Sequence, residues 1–143
     1  MRQEFKDCLD RGKIIRFPQG EKLVVKEINS AHGDLGDAKF GFGHARYKWS
    51  TIQAYYAMYH AARALIYSMG YRERNHYCLL AALQALFVDR GTLDAELAGS
   101  FRLAMMLRQN ADYRSDFSEE GARSVIDWDG RLLQRAEEIL GKR

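Results

Sequence analysis

The stretch from Tyr47 to Met69 constrains the fold more than any other part of the sequence, because it is apolar on most sides of a helix. Apolar residues recur along it every three or four positions, as in the series Ile52, Tyr55, Tyr59, and a second such series runs beside the first. A helix that is apolar most of the way round lies in the middle of a bundle. The stretch therefore predicts a buried central helix with other helices packed around it.

Four further segments show the helical spacing of apolar residues, with glycines or capping residues near their ends. They are residues 21–38, 75–90, 93–111 and 119–140, with a connector predicted at 39–46. The short connections at 70–74 and 91–92 require neighbouring helices to run antiparallel. We therefore predict an all-α fold, an up-and-down bundle of four to five helices over residues 21–143. Residues 1–20 are predicted to be an N-terminal extension, in which 13–17 form a short strand or a loop.

Positive charge is concentrated in two segments, although the net charge of the whole chain is only +3, too small for binding nucleic acid through bulk charge. Residues 1–26 hold seven Lys or Arg against four Asp or Glu, and residues 44–74 hold five against one. The second segment contains most of the tyrosines. Basic and aromatic residues together suit single-stranded RNA or nucleotides. A buried helix with arginines at its ends has the same composition, and we favour that interpretation.

Cellular location and metal binding are constrained mainly by what the sequence lacks. No run is long and apolar enough for a transmembrane helix, and the charged N-terminus does not resemble a secretory signal peptide. Cys8 and Cys78 are too few and too far apart along the chain to predict a disulfide scaffold or a zinc site, and the histidines lack metal-binding spacing. We therefore expect a cytoplasmic protein without membrane contact, metal or cofactor.

One side of the predicted central helix carries large residues with polar ends, among them Tyr56, His60 and Arg63. Such residues line partly buried interfaces and hydrogen-bond across them. His60 and Arg63 beside Tyr56 also have the chemistry to hold a phosphate and a base. We favour a protein–protein interface, followed by a core with satisfied hydrogen bonds and then by a ligand site.

Polar residues are also concentrated near the end of the fourth predicted helix, in the run 108–114 (RQNADYR). Arg108 and Asp112 are four positions apart, which places them on one helix face. Together with Asn110 and Tyr113 they could form a small anion-binding site. The alternative is a hydrogen-bond network that only caps the helix. These residues by themselves do not decide between the two.

Several motifs in order resemble one known family. They are the run 54–65 (AYYAMYHAARAL), Gly70, the triplet 74–76 (RNH) and the run 107–113 (LRQNADY). In this combination they resemble the HEPN family, whose name abbreviates "higher eukaryotes and prokaryotes nucleotide-binding", over roughly residues 21–141. Members of that family are helical bundles and commonly dimers. Many pair with a minimal nucleotidyltransferase encoded alongside, and several such pairs are toxin–antitoxin systems.

Some members of the family are metal-independent endoribonucleases whose signature is an arginine followed, after four to six residues, by a histidine. That histidine is the general acid or base for attack by the ribose 2′-hydroxyl, and the arginine stabilises phosphate charge. Arg108 matches the arginine, but Tyr113 stands in the histidine position, and a phenol is a poor base at neutral pH. The signature is therefore absent. In some toxins of the family the partner transfers AMP to a tyrosine beside the motif, and Tyr113 is the candidate acceptor here.

The resemblance implies a HEPN-type nucleotide- or RNA-binding module that forms a homodimer and partners a nucleotidyltransferase in a toxin–antitoxin-like two-component system. Its candidate ligand-binding residues are Arg108, Asn110, Asp112 and Tyr113, with Arg74 and His76 near them if the helices pack as in the family, and secondly Tyr56, His60 and Arg63. One alternative is a divergent metal-independent endoribonuclease toxin that uses Arg108 and a histidine from another helix, for which His76 is the candidate. A second alternative is a non-catalytic structural adaptor.

Overall fold

The computed structural model describes residues 1–141, which form six α-helices and one two-stranded sheet. In chain order these are α1 (Gln3–Asp10), β1 (Ile14–Arg16), α2 (Val24–Gly43), α3 (Tyr47–Ser68), β2 (Tyr71–Glu73), α4 (His76–Leu83), α5 (Ala95–Arg114) and α6 (Glu119–Gly141). A 3₁₀ segment, Pro18–Leu23, leads into α2, and a π-helical turn, Gln84–Val88, continues α4. The predicted all-α bundle is confirmed. None of the helices in this described part is long and apolar enough to cross a membrane.

Helix α3 is the central helix of the bundle, as its apolar pattern predicts. It packs against α2, α5 and α6. Small side chains let these helices approach closely, since Ala54, Ala57 and Ala61 are fully buried along it. The hydroxyl of Ser50 in α3 donates a hydrogen bond of 2.6 Å to the carbonyl of Ala38 in α2.

Two predicted connections contain regular structure. The connector predicted at 39–46 is wrong for residues 39–43, because helix α2 continues to Gly43. The tertiary structure overrides the low helix propensity there, because a side chain at Gly41 would meet Ser50 of α3. The predicted connection at 70–74 contains strand β2, which pairs antiparallel with β1. The strand option for residues 13–17 is thereby confirmed.

A disulfide joins Cys8 of α1 to Cys78 of α4. The sequence predicted no disulfide scaffold from cysteines so few and so far apart, but the two do form one bond, because separation along the chain does not limit approach in space. Helix α1 lies against α4, with Phe5 and Cys8 buried. The N-terminal segment is thus packed against the bundle by α1, by the disulfide and by the pairing of β1 with β2.

Candidate functional site

Arg108 of α5 is enclosed by three aromatic rings where α5 meets the central helix. Its Cζ atom is 5.4 Å from the ring centroids of both Tyr55 and Tyr56 of α3, and 5.6 Å from that of Tyr113. The residue is only 6% exposed. Because the face of an aromatic ring carries partial negative charge, the rings stabilise the buried guanidinium without neutralising it.

The hydrogen bonds of this guanidinium are incomplete. Arg108 Nη1 donates to the hydroxyl of Tyr113 at 3.3 Å, and its ion pair with Oδ2 of Asp112 is long, at 3.8 Å. The buried Nε atom has no acceptor among residues 1–141. A buried N–H without an acceptor is unfavourable, so an anion that reached it would gain a charge-assisted hydrogen bond.

The end of α5 contains a capping hydrogen-bond network, and Tyr113 beside it contacts Arg108. The backbone carbonyl of Asn110 accepts hydrogen bonds from the N–H groups of Ser115 and Asp116, and Ser115 has a left-handed conformation with φ of 49°. Asn110 therefore belongs to the capping network through its backbone. Tyr113, one turn further along α5, is 75% exposed while its hydroxyl bonds Arg108, so it lies between the buried guanidinium and solvent.

His76 opens helix α4 and is held against the same tyrosines. Its Nδ1 atom is hydrogen-bonded to the hydroxyl of Tyr55 at 2.5 Å, and its ring packs on Tyr59 with centroids 4.6 Å apart. Asn75 fixes the start of the helix, since its side chain accepts the N–H of Cys78. Burial, together with the positive charge of Arg108, lowers the pKa of His76, and the imidazole is therefore neutral at neutral pH.

Replacing Arg108 with alanine should raise the pKa of His76, because it removes a positive charge that disfavours the imidazolium. The pKa can be followed by NMR titration of the histidine ring protons. Replacing the exposed Arg90 with alanine makes the same change in net charge elsewhere and should leave the His76 titration where it is. An unchanged or lower His76 pKa in the Arg108 variant would contradict the proximity of the two groups.

The other candidates on α3, His60 and Arg63, bind carboxylates. His60 Nδ1 lies 2.5 Å from Oε2 of Glu27, and Arg63 Nη2 lies 2.6 Å from Oε2 of Glu73. Burial alone would raise the pKa of Glu27, but the hydrogen bond to His60 and the charge of Arg63 outweigh it and lower the pKa. His60 and Arg63 thus form a partly buried ionic network, whereas Tyr56 contacts Arg108.

Arg74 is not among the residues around Arg108 and lies on the side of Arg63. It is exposed between β2 and α4, and lines an open groove together with Arg63 and Tyr59. The structure therefore brings Arg108, Asp112, Tyr113, Tyr56 and His76 together, and places Arg74 and Arg63 around the groove.

Sequence reasoning missed three residues of these networks. Tyr55 was assigned to the core, which is where its ring lies, but its hydroxyl also binds His76. Glu73 is the only acidic residue in the basic segment 44–74. A single carboxylate among several cations indicates an ion pair, and this pattern could have identified Glu73 as the partner of an arginine. Glu27 lies at helical spacing within the apolar series Val24 and Ala31, which likewise signals a buried carboxylate.

Comparison with known structures supports the fold. A crystal structure of TT1696 from Thermus thermophilus superposes with a TM-score of 0.69, covering 81% of this chain and 97% of that one. The sequence identity is 17%, so the likeness concerns the fold alone.

Two relatives share more sequence. A protein of Methanocaldococcus jannaschii named as a putative toxin is 30% identical over 100 residues, which are 69% of this chain and 75% of that protein. A protein of Thermotoga maritima named as a UPF0332 protein is 29% identical over 122 residues, or 84% of this chain and 87% of that protein.

The sequence model of one protein family, the HEPN domain, matches residues 25–141, which include α3, α5 and the Arg108 cluster. The family suggested by the tyrosine-rich run and by the run 107–113 is confirmed, and this chain belongs to the HEPN domain family.

Proposed function

We propose that this protein is a nucleotide- or RNA-binding module in which Arg108 contacts a phosphate. The observation that carries the proposal is the state of the guanidinium, which is buried and surrounded by tyrosine rings. Among residues 1–141, its Nε has no acceptor and its ion pair is the long one with Asp112. A phosphate supplies both the missing acceptor and the missing charge. Tyr113 is the side chain that would move or rotate to admit it, since it lies between Arg108 and solvent.

We also propose that the module is a homodimer that pairs through α5. One stripe of α5 carries three exposed large side chains, Leu103, Met106 and Tyr113. Gly99 and the partly buried Asn110 complete it, at alternating steps of four and three residues. Apolar residues at this spacing form the seam by which two helices pack together. A second copy is the occupant that such a stripe suits, because the same residues would meet across a two-fold axis. Because Tyr113 contacts Arg108, the proposed dimer interface would lie next to the Arg108 cluster.

A nucleotidyltransferase is the partner we propose, in a toxin–antitoxin-like two-component system. Membership of the HEPN family and the relative named as a putative toxin support a toxin-related role. The phenol of Tyr113 is exposed in the single protomer, and such an enzyme would reach it before two copies pair through α5. It would transfer AMP from ATP to the phenolic oxygen with release of pyrophosphate. The added phosphate would lie beside Arg108. We place this system in the cytoplasm, where its nucleotide and RNA ligands occur.

Binding of ATP and of a short RNA tests the module. Arg108→Ala should weaken binding about 10- to 100-fold, as expected for loss of a hydrogen bond to a charged group, when measured by calorimetry or by fluorescence anisotropy. Arg90→Ala carries the same charge change and should bind as the wild type does. Circular dichroism melting shows whether each variant is folded. Equal binding by the folded Arg108 variant would contradict the proposed site, and wild-type protein that binds neither ligand would favour the structural adaptor.

A metal-independent endoribonuclease is the second candidate, and the observation that favours it is the neutral His76 held near Arg108. If Nδ1–H donates to the oxygen of Tyr55, Nε2 carries the lone pair and can take the proton of a ribose 2′-hydroxyl while Arg108 stabilises the phosphate. RNA should then be cleaved in the presence of EDTA, and His76→Gln should abolish cleavage. Cleavage that survives His76→Gln, or no cleavage at micromolar protein, would eliminate this candidate.

A further inference from the structure

The structure contains a second basic site, a groove where the sheet meets the central helix. Its volume is about 580 Å³, and it is lined by Lys13, Ile15, Tyr59, Arg63, Arg72, Glu73 and Arg74. Four of these seven side chains are cationic, and only one is acidic. Lys13 precedes the residues matched by the HEPN model, so part of this groove comes from outside the matched domain.

The groove exists because the two basic segments of the sequence meet in space. Strand β1 belongs to the segment 1–26 and β2 to the segment 44–74, and they pair antiparallel with Ile15 opposite Arg72. Beyond the strands, the N–H of Arg74 donates to the carbonyl of Lys13 at 2.9 Å, which places these two cationic residues side by side. Lys13, one of the positive residues of the segment 1–20, is thereby brought beside Arg72 and Arg74.

Most of the positive charge of the groove is not neutralised by the protein. Glu73 is paired with Arg63 at 2.6 Å and also accepts a hydrogen bond from the hydroxyl of Tyr59. Its negative charge therefore neutralises Arg63 and not the other cations of the groove. The ion pairs formed within residues 1–141 use none of Lys13, Arg72 and Arg74. Three cations therefore remain available to an anionic ligand.

The groove is preformed. The guanidinium of Arg72 packs on the ring of Phe17, with Cζ 5.1 Å from its centroid, so its position is restricted before any ligand binds. The 3₁₀ segment that follows Phe17 lies tightly on the end of α3, since a methyl group at Gly20 would be 2.6 Å from the carbonyl oxygen of Tyr67. A preformed cationic surface binds with a smaller loss of side-chain entropy.

The groove is connected with Arg108 by contacts through three side chains. Tyr59 lines the groove and packs on the ring of His76, and His76 is hydrogen-bonded to Tyr55, whose ring lies 5.4 Å from Cζ of Arg108. Tyr55 and Tyr59 are buried, and His76 is the partly exposed member of this series. A chain molecule that placed one phosphate at Arg108 would therefore have to cross the surface at His76 to reach the groove. Arg72 and Arg74 are two positions apart on an extended segment, roughly 7 Å, which suits the repeating phosphates of an extended strand.

We propose that this groove binds the phosphodiester backbone of single-stranded RNA, with Lys13, Arg72 and Arg74 as the phosphate contacts. The inference rests on the proposed function, in which Arg108 holds a phosphate of the same ligand. It adds that the ligand is an oligonucleotide rather than a mononucleotide, and it specifies the path that the strand takes from Arg108. Phosphate contacts of this kind carry affinity without sequence information.

The test compares ligands of two lengths on three variants of the full chain. The groove variant combines Lys13→Gln, Arg72→Gln and Arg74→Gln, and the matched control combines Lys6→Gln, Lys26→Gln and Arg90→Gln, three exposed cations outside the groove. The third variant is Arg108→Ala. Fluorescence anisotropy measures binding of a labelled 12-nucleotide oligouridylate at several salt concentrations, and calorimetry measures binding of ATP.

We expect the groove variant to bind the oligouridylate at least about tenfold more weakly than wild type and the control, with a salt slope shallower by about 2 for three lost contacts. Its affinity for ATP should not change, whereas Arg108→Ala should weaken both ligands. Equal oligouridylate binding by the groove variant and the control would overturn the groove while leaving the Arg108 site in place. Loss of oligouridylate binding in both triple variants alike would also overturn it, since net charge rather than placement would then decide. Wild-type protein that binds neither ligand would overturn both proposals.

Discussion

Replacing Arg63 with methionine will lower the free energy of unfolding by about 3–5 kcal/mol, the usual cost of removing one partner from a buried ion pair. The partner left behind is Glu73, which is 2% exposed. Arg63 supplies two of its hydrogen bonds, from Nε and Nη2, and Oε1 of Glu73 already has no partner among the described residues. Without Arg63, the hydroxyl of Tyr59 would be the one hydrogen-bond donor left to the carboxylate within residues 1–141. Urea unfolding at neutral pH measures the change.

A double variant separates loss of the pair from loss of packing. Arg63→Met combined with Glu73→Leu removes both charges and should recover most of the lost stability, because well-packed apolar residues can replace a buried ion pair. Arg74→Met, one residue beyond β2 and exposed, should cost less than about 0.5 kcal/mol. If the double variant were as unstable as Arg63→Met alone, the cost would lie in packing rather than in the stranded carboxylate.

Replacing Asp129 with asparagine will stabilise the protein by about 2–4 kcal/mol at pH 8, by removing a buried acid that resists ionisation. Asp129 of α6 is fully buried, and neither carboxyl oxygen has a hydrogen-bond partner among residues 1–141. Burial, with a smaller contribution from the charge of Asp34, raises the pKa of Asp129 to about 8. Its folded pKa is thus above the unfolded value. The stability that the group contributes is complete below about pH 4, and is lost as the pH rises through about 8.

The pH dependence distinguishes this mechanism from a general packing effect. Unfolding curves from pH 4 to pH 9 should show the two proteins close together at pH 4 and diverging as the pH rises. Asp127→Asn, on the exposed face of the same helix, removes only a surface ion pair with Arg131 and should change stability by less than about 1 kcal/mol. A stability difference for Asp129→Asn that is the same at every pH would show that ionisation is not its cause.

The sequence was sufficient to predict the elements that depend on periodicity, and insufficient for those that depend on contacts between distant segments. The bundle helices were predicted because burial of one face repeats every three to four residues. The continuation of α2 through Gly41 and Gly43 was missed because their propensity opposes a helix, and only the packing against α3 favours it. The Cys8–Cys78 bond was missed for a related reason, since it depends on how α1 lies against α4.

The candidate site shows the same division. Arg108, Asp112 and Tyr113 lie on one helix, so their spacing was enough to group them. Placing Tyr56 and His76 beside them requires the relative positions of α3, α4 and α5. From the sequence, His76 could be placed there only on the assumption that the helices pack as they do in the family. The stripe Tyr56, His60 and Arg63 was divided between two networks because its carboxylate partners, Glu27 and Glu73, come from other elements.

The Cys8–Cys78 bond also determines how the molecule would respond to a mechanical force. If the two ends of the chain were pulled apart, the tension would pass through the disulfide and bypass the chain between its cysteines, which are 70 positions apart. Those positions correspond to roughly 240 Å of extended chain that no pull can release while the bond is intact. Helices α5 and α6 lie outside this loop and would bear the load. The contacts of Arg108 with Tyr55 and Tyr56, which lie inside the loop, would therefore be exposed to the force. The paired strands β1 and β2 lie inside it, and their groove would be shielded from the force.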